Sequence, residues 1–127
     1  VHCTASGKLF LAQLSPAQRK RLLGQAELEQ CTPRTLTQLD ALEAELARVK
    51  RDGFAMDNEE FLPGLLCVAV LVPPAAGRGA SGKSNLAVAV QAPVMRLTPD
   101  KALQMLPALQ RAAAGLSEID ASMLESA

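Results

Sequence analysis

The strongest chemical motif in this sequence is a glycine-rich stretch that runs from Gly77 to Ser84. It reads Gly-Arg-Gly-Ala-Ser-Gly-Lys-Ser, which fits the P-loop pattern, and its three glycines also fit the pattern of dinucleotide-binding loops. In a P-loop, the backbone N–H groups and Lys83 would hold the phosphates, while Ser84 would hold magnesium. The motif therefore predicts, as one hypothesis, a nucleotide-binding protein.

The residues around this motif favour a different interpretation. A P-loop is followed by a helix whose N-terminus faces the phosphates, but the short segment before Pro93 alternates valine with alanine, as a strand does. No later apolar strand ends in the aspartate that a P-loop enzyme uses for its metal, and Asp100 falls at the start of a predicted helix. We therefore expect a flexible hairpin loop with a solvated lysine, and we keep nucleotide binding as the alternative function.

Nucleophilic catalysis or metal binding would have to use very few residues. His2 is the single histidine, so a Ser-His-Asp or Cys-His site would have to include it, and a packing role is the simpler expectation. His2, Cys3 and Cys67 could meet around a metal, although they lack the local spacing of a metal motif. We expect no enzyme activity, no metal and no cofactor.

The three cysteines, Cys3, Cys31 and Cys67, indicate the compartment. They are odd in number and widely spaced, which fits neither a disulfide framework nor a zinc motif. This usage is typical of a protein in a reducing cytoplasm.

An acidic cluster lies just before the middle of the chain. Asp57, Glu59 and Glu60 could form a paired-carboxylate site, but a run of acids in a turn is most often a solvated surface. Asp57 remains a candidate functional residue because it lies just before a strongly apolar segment.

Composition limits the partners of the chain. With 127 residues and 49% hydrophobic content, we expect a single domain, and the formal net charge of zero provides no basic surface for a phosphate backbone. The absence of Tyr and Trp argues against single-stranded nucleic acids, which stack on aromatic side chains. The longest apolar run, residues 65–72, is far shorter than the ~20 residues of a membrane-spanning helix. Because the chain begins at Val1 rather than Met, we expect a fragment of a longer protein.

Apolar spacing and capping residues predict the helices. The predicted helices are within residues 4–14, at 16–23 after a Ser15–Gln18 capping box, at 39–51 between a Thr37 cap and Gly53, and from Pro99 after a Thr98 cap. We expect Pro107 to bend the last helix and its polar end, residues 117–127, to fray.

Three segments have the pattern of strands. Residues 54–56 are short and extended, residues 65–72 form a continuous valine-rich run typical of a buried strand, and residues 86–91 alternate. We expect the last two to pair as a hairpin around the loop at 73–84.

Five blocks of sequence, in order along nearly the whole chain, resemble the effector-binding domain of IclR-type transcription regulators. They are His-Cys-Thr-Ala-Ser-Gly-Lys-Leu-Phe-Leu-Ala (2–12), Thr-Pro-Arg-Thr (32–35), Arg-Asp-Gly-Phe-Ala-Met-Asp-Asn-Glu-Glu (51–60), Gly-Leu-Leu-Cys-Val-Ala (64–69) and Ala-Pro-Val-Met-Arg-Leu-Thr (92–98). The resemblance implies an α+β fold of the GAF-like or profilin-like type, an antiparallel sheet flanked by helices, whose first strands would precede Val1. Residues 1–127 would form one ligand-sensing domain, and a winged helix-turn-helix, absent here, would contact DNA. Relatives of this type form homodimers or homotetramers.

The resemblance also implies a binding site for a small organic acid. The acid would lie against the backbone amides of a turn at Ala5 and Ser6, and the further contacts would be Asp57, Leu65, Cys67, Ala89 and Gln91. Where carboxylate-binding relatives have small hydroxyl side chains on the last strand, this sequence has Ala89 and Gln91. We therefore expect a larger polar or aromatic acid rather than the smallest keto acid. A pure oligomerisation domain without a ligand is a further alternative.

Overall fold

The structure, a computed structural model of the chain, describes residues 1–24, 28–74 and 84–126, with side chains of the last segment described through Ile119. Its described residues contain five helices and three strands. In chain order these are α1 (Ala5–Gln13), α2 (Pro16–Leu23), α3 (Leu39–Asp52), β1 (Ala55–Asn58), β2 (Leu65–Leu71), β3 (Ala87–Pro93), α4 (Pro99–Gln104) and α5 (Leu106–Ser126).

The three strands form one antiparallel sheet in the order β1-β2-β3. Successive side chains of a strand point to opposite faces, so the sheet has two different faces. Helices α1 and α3 pack on the face that carries Ala55 and Ala69, while α4 and α5 pack on the face that carries Leu66 and Val68. The fold is therefore the α+β arrangement that the sequence predicts.

The core beneath α1 and α3 follows from apolar spacing in the sequence. Leu42, Leu46 and Val49 lie on one face of α3, and each is at most 1% exposed. Leu9 and Ala12 of α1 pack against them and against the sheet. This core fixes α1 across all three strands.

The central strand β2 is buried on both faces. Val68 and Val70 pack toward Leu109 and Ala113 of α5, while Ala69 belongs to the core beneath α1. Burial on both faces explains why this strand reads as a continuous apolar run rather than an alternating one.

The capping residues agree with the sequence in most places. Ser15 and Gln18 form the predicted capping box, and Gly53 ends α3 with a φ of 82°. The predicted Thr37 cap is wrong, because the N-cap of α3 is Gln38 and its side chain makes no capping hydrogen bond.

The last helical region differs from its prediction. Thr98 caps α4 as expected, but the helix is interrupted at Met105 and α5 begins at Leu106. Pro107 therefore lies in the first turn of a new helix, where its missing N–H removes no intrahelical hydrogen bond. Helix α5 continues to Ser126, so it includes nearly all of the polar end at 117–127 that the sequence predicts to fray. Within the described part of the chain, no helix is long and apolar enough to cross a membrane.

The predicted hairpin of β2 and β3 is confirmed, with Leu65 opposite Pro93 and Leu71 opposite Ala87. Residues 75–83 of the connecting loop, and with them most of the P-loop motif, lie outside the described residues. After Ser84 the chain forms β3, so the helix that a P-loop requires is replaced by a strand antiparallel to β2. The nucleotide-binding alternative is therefore not supported.

Candidate functional site

The predicted ligand contacts share one face of the molecule. Asp57, Cys67 and Gln91 lie directly opposite one another across the sheet. Ala89 and Leu65 lie two residues away on their strands and therefore on the same face. This is the face that α1 covers.

The first two residues of α1 are Ala5 and Ser6, so these residues lie in a helix rather than in the predicted turn. Thr4 caps the helix, and its hydroxyl accepts a hydrogen bond of 3.0 Å from the N–H of Gly7. The N–H groups of Ala5 and Ser6 precede the first intrahelical bond and so have no partner within the helix. A helix N-terminus with such groups attracts an anion.

Burial changes steadily across this face. Asp57 on β1 is 6% exposed, and Cys67 and Leu65 on β2 are half-buried. Ala89 and Gln91 on β3 are exposed. The face is thus buried beside β1 and exposed along β3, and we name its less buried part, which carries Cys67, Ala89 and Gln91, the α1–β3 surface.

Asp57 has a structural role at the buried end. Its Oδ1 accepts hydrogen bonds from the backbone N–H groups of Glu60, at 2.8 Å, and Phe61, at 3.2 Å. Burial raises the pKa of the Asp57 carboxyl, and these two hydrogen bonds act in the opposite direction. Asp57 therefore stabilises the turn that follows β1, and it lies in β1 itself rather than in the predicted acidic turn.

A buried ion pair ties this turn to α1. Lys8 is 1% exposed, and its Nζ lies 2.8 Å from both carboxylate oxygens of Glu60 and donates at 2.9 Å to the carbonyl of Met56. Burial raises the pKa of the Glu60 carboxyl, and the contact with Lys8 opposes that rise. The pair fixes the first turns of α1 against the end of β1.

Sequence reasoning missed this pair. The available signal was a lysine between apolar neighbours in the first helix, because a charge on a buried helix face needs a partner. The partner, Glu60, is far along the chain, so its identity depends on the tertiary fold.

The remaining acid, Glu59, also has structural partners. Its carboxylate accepts from the N–H of Gly64 at 2.9 Å and lies 3.3 Å from the guanidinium of Arg34. Thr32 and Thr35 donate hydroxyl hydrogen bonds to the carbonyls of Glu59 and Glu60. The acids are therefore engaged in holding the turn, and the paired-carboxylate hypothesis has no support in these contacts.

The remaining candidates are His2, the possible metal ligands and Cys67. The Nε2 atom of His2 lies 2.8 Å from the carbonyl oxygen of Glu29, which confirms a packing role. Among the residues whose placement is described, no three His, Cys, Asp or Glu side chains are grouped to hold a metal ion. Burial and the charge of Asp57 raise the pKa of the Cys67 thiol to about 11, which favours the protonated thiol at neutral pH.

A small cavity of about 140 Å³ lies at the other end of α1. It is lined by Leu9, Ala12, Gln13, Val49, Lys50, Gly53 and Leu71. None of its lining residues is a predicted ligand contact.

Comparison with known proteins identifies the family. The family model described as the C-terminal part of the bacterial transcriptional regulator IclR matches residues 1–118. This chain belongs to the IclR family. The predicted resemblance is therefore confirmed, and the IclR family is one of transcription regulators and not of enzymes.

Individual relatives agree with this assignment. SauR of Cupriavidus necator is 41% identical over 113 residues, which cover 89% of this chain and 43% of SauR. The IclR protein of Thermotoga maritima superimposes with a TM-score of 0.80 at 29% identity, covering 94% of this chain and 47% of that one. A double mutant of the inducer-binding domain of PobR from Acinetobacter, in complex with 3-hydroxybenzoic acid, gives a TM-score of 0.82 at 26% identity. That match covers 91% of this chain and 64% of the PobR chain.

Proposed function

We propose that this IclR-type domain is a sensor that binds a small organic acid at the α1–β3 surface. The observation that carries the proposal is that α1 packs on the face that carries the predicted strand contacts, while the N–H groups of Ala5 and Ser6 in its first turn have no partner within the helix. A carboxylate at this end of the helix would accept hydrogen bonds from those N–H groups.

The residues of the α1–β3 surface favour an aromatic or larger polar acid. Cys67 and Ala89 provide apolar contact area, and the exposed Gln91 amide offers an NH2 group that donates and a carbonyl oxygen that accepts. The strand positions of this face carry no lysine or arginine, so the helix N-terminus is the group that would meet the negative charge. The inducer-binding domain of PobR in complex with 3-hydroxybenzoic acid supports an acid of this class.

A titration tests the site directly. Thermal shift and calorimetry on the 127-residue chain with 3-hydroxybenzoate, benzoate and pyruvate would measure binding, and a ligand at ~100 times its dissociation constant adds about 2.7 kcal/mol to the free energy of unfolding. We expect Ala89→Leu to abolish binding because its larger side chain would occupy the space of the ligand, while Ala44→Leu, a matched change at an exposed position of α3, leaves binding intact. Undiminished affinity in Ala89→Leu would refute this site.

A second arm of the same titration tests the nucleotide alternative. Magnesium-ATP should produce no thermal shift, because the segment after the glycine-rich loop is a strand. A shift that Lys83→Ala removes would instead establish a phosphate site.

We further propose that the acid controls DNA binding by the longer protein and that it acts there as a homodimer or homotetramer. The chain spans only 43% of the length of SauR, and its net charge of zero suits a domain that leaves DNA contact to another part of the protein. Such a regulator would work in the cytoplasm.

Exposed apolar side chains on the β3–α4 connection and on α5, including Met95 at 91% and Ile119 at 57%, support an oligomer contact. Sedimentation analysis that finds a monomer at all concentrations would refute the oligomer.

A further inference from the structure

We propose that Cys3 and Cys31 form a redox-sensitive thiol pair that hydrogen peroxide closes to an intramolecular disulfide. Their Sγ atoms lie 3.6 Å apart, although the two residues are far apart in the sequence. Both cysteines are free thiols in this structure. A disulfide needs a separation of ~2.0 Å, so the two sulfur atoms must approach by roughly 1.5 Å.

The backbone on both sides of this pair is held in place. Next to Cys3, the ring of His2 bonds to the carbonyl of Glu29 at 2.8 Å. Next to Cys31, the hydroxyl of Thr35 accepts hydrogen bonds from the N–H groups of Cys31 at 3.1 Å and Thr32 at 2.9 Å. The His2–Glu29 bond therefore joins the two chain segments beside the sulfur atoms, and the Thr35 bonds hold the backbone at Cys31.

Burial assigns different roles to the two thiols. Cys3 is 4% exposed, whereas Cys31 is half-buried and so accessible to a small oxidant. Burial and the neighbouring Cys31 thiol raise the pKa of Cys3 to about 11, which keeps Cys3 protonated at neutral pH. Cys31 is therefore the sulfur that meets the oxidant, and Cys3 is the sulfur that resolves the product.

The reaction balances with hydrogen peroxide as the oxidant. The Cys31 thiolate attacks one peroxide oxygen and breaks the O–O bond, which gives a sulfenic acid and hydroxide. The Cys3 sulfur then attacks the sulfenic sulfur and displaces its hydroxyl group, which leaves as water with the proton of the Cys3 thiol. Two electrons pass from the thiol pair to the peroxide.

The disulfide would fix the start of α1. Cys3 directly precedes Thr4, the N-cap of α1, while Cys31 lies in the segment whose threonines hold the turn after β1. The bond would close a loop from residue 3 to residue 31 and restrict the unfolded chain. We expect the melting temperature to rise by about 10 °C on oxidation and to return on treatment with dithiothreitol.

Thiol titration and mass spectrometry of the 127-residue chain test the pair. After peroxide treatment we expect the count of free thiols to fall from three to one and the mass to fall by two hydrogen atoms. Tryptic digestion should link peptide 1–8 to peptide 22–34. Because these measurements use the unmutated protein, they do not depend on the folding of a variant.

Variants separate this pair from the third cysteine. Cys67→Ser should form the same link as the unmutated chain, whereas Cys3→Ser and Cys31→Ser should form no intramolecular link. A link that includes Cys67, a link between chains, or a mass gain of two oxygen atoms without any link would each overturn the proposal.

Discussion

Removal of Lys8 tests whether the buried ion pair with Glu60 stabilises the domain. In Lys8→Met the apolar stem is kept and the charge is lost, which leaves the Glu60 carboxylate buried at 11% side-chain exposure without its partner. Breaking a buried pair in this way costs about 3–5 kcal/mol of the free energy of unfolding. Urea denaturation followed by far-UV circular dichroism would measure the loss, since the chain has no Trp for fluorescence.

The stability lost in Lys8→Met should depend on pH. Burial raises the folded-state pKa of Glu60 above its ordinary value, and loss of Lys8 raises it further. A group with a raised folded-state pKa makes its full contribution to the free energy of unfolding below its ordinary pKa, and that contribution is lost as the pH rises through the folded-state pKa. We therefore expect the deficit of Lys8→Met to be largest at neutral pH and to shrink toward pH 4.

A double variant completes the test. Lys8→Met with Glu60→Leu removes both charges, and replacing a buried pair by apolar residues is often neutral. We expect the double variant to recover most of the lost stability. A loss below about 1 kcal/mol in Lys8→Met, independent of pH, would contradict the reasoning from burial and charge.

Three further predictions follow from local structure. Thr4→Ala removes the hydroxyl that caps α1 and should lower the free energy of unfolding by ~1 kcal/mol in the same urea assay. Gly53→Ala places a side chain at a φ of 82° and should destabilise by ~1 kcal/mol, whereas Gly115→Ala, inside α5 with open space around it, should be neutral or stabilising by up to ~1 kcal/mol. Because the Cys67 thiol has its pKa raised to about 11, iodoacetamide at pH 8 should label it at least roughly tenfold more slowly in the folded chain than in urea, and equal rates would contradict its burial.

Patterns within one element predicted much of this fold from the sequence. Leu42, Leu46 and Val49 recur at helical spacing, and the apolar run at 65–72 is typical of a strand with two buried faces. The period of two also placed Ala89 and Gln91 on one face of β3, which is how the structure arranges them. Their role as ligand contacts stays a prediction.

The local sequence pattern did not predict the features that depend on residues far apart in the chain. The break at Met105 arises where α4 ends and α5 packs on the sheet, and Pro107 alone predicted only a bend. Ala5 and Ser6 begin helix α1 instead of lying in a non-helical turn, and this position depends on the Thr4 cap. Likewise, the contact between Cys3 and Cys31 depends on how the segment after α2 returns to α1.

The gradient of burial across the face beneath α1 separates two kinds of mutational constraint. At Asp57 a substitution would break the bonds that hold a turn, so selection for stability restricts that position. At Ala89 and Gln91 the side chains are exposed, and most substitutions there change the free energy of unfolding by little. Related domains of this fold could therefore differ at the exposed positions of β3 while the turn that Asp57 holds is preserved, which is a physical route by which paralogues diverge.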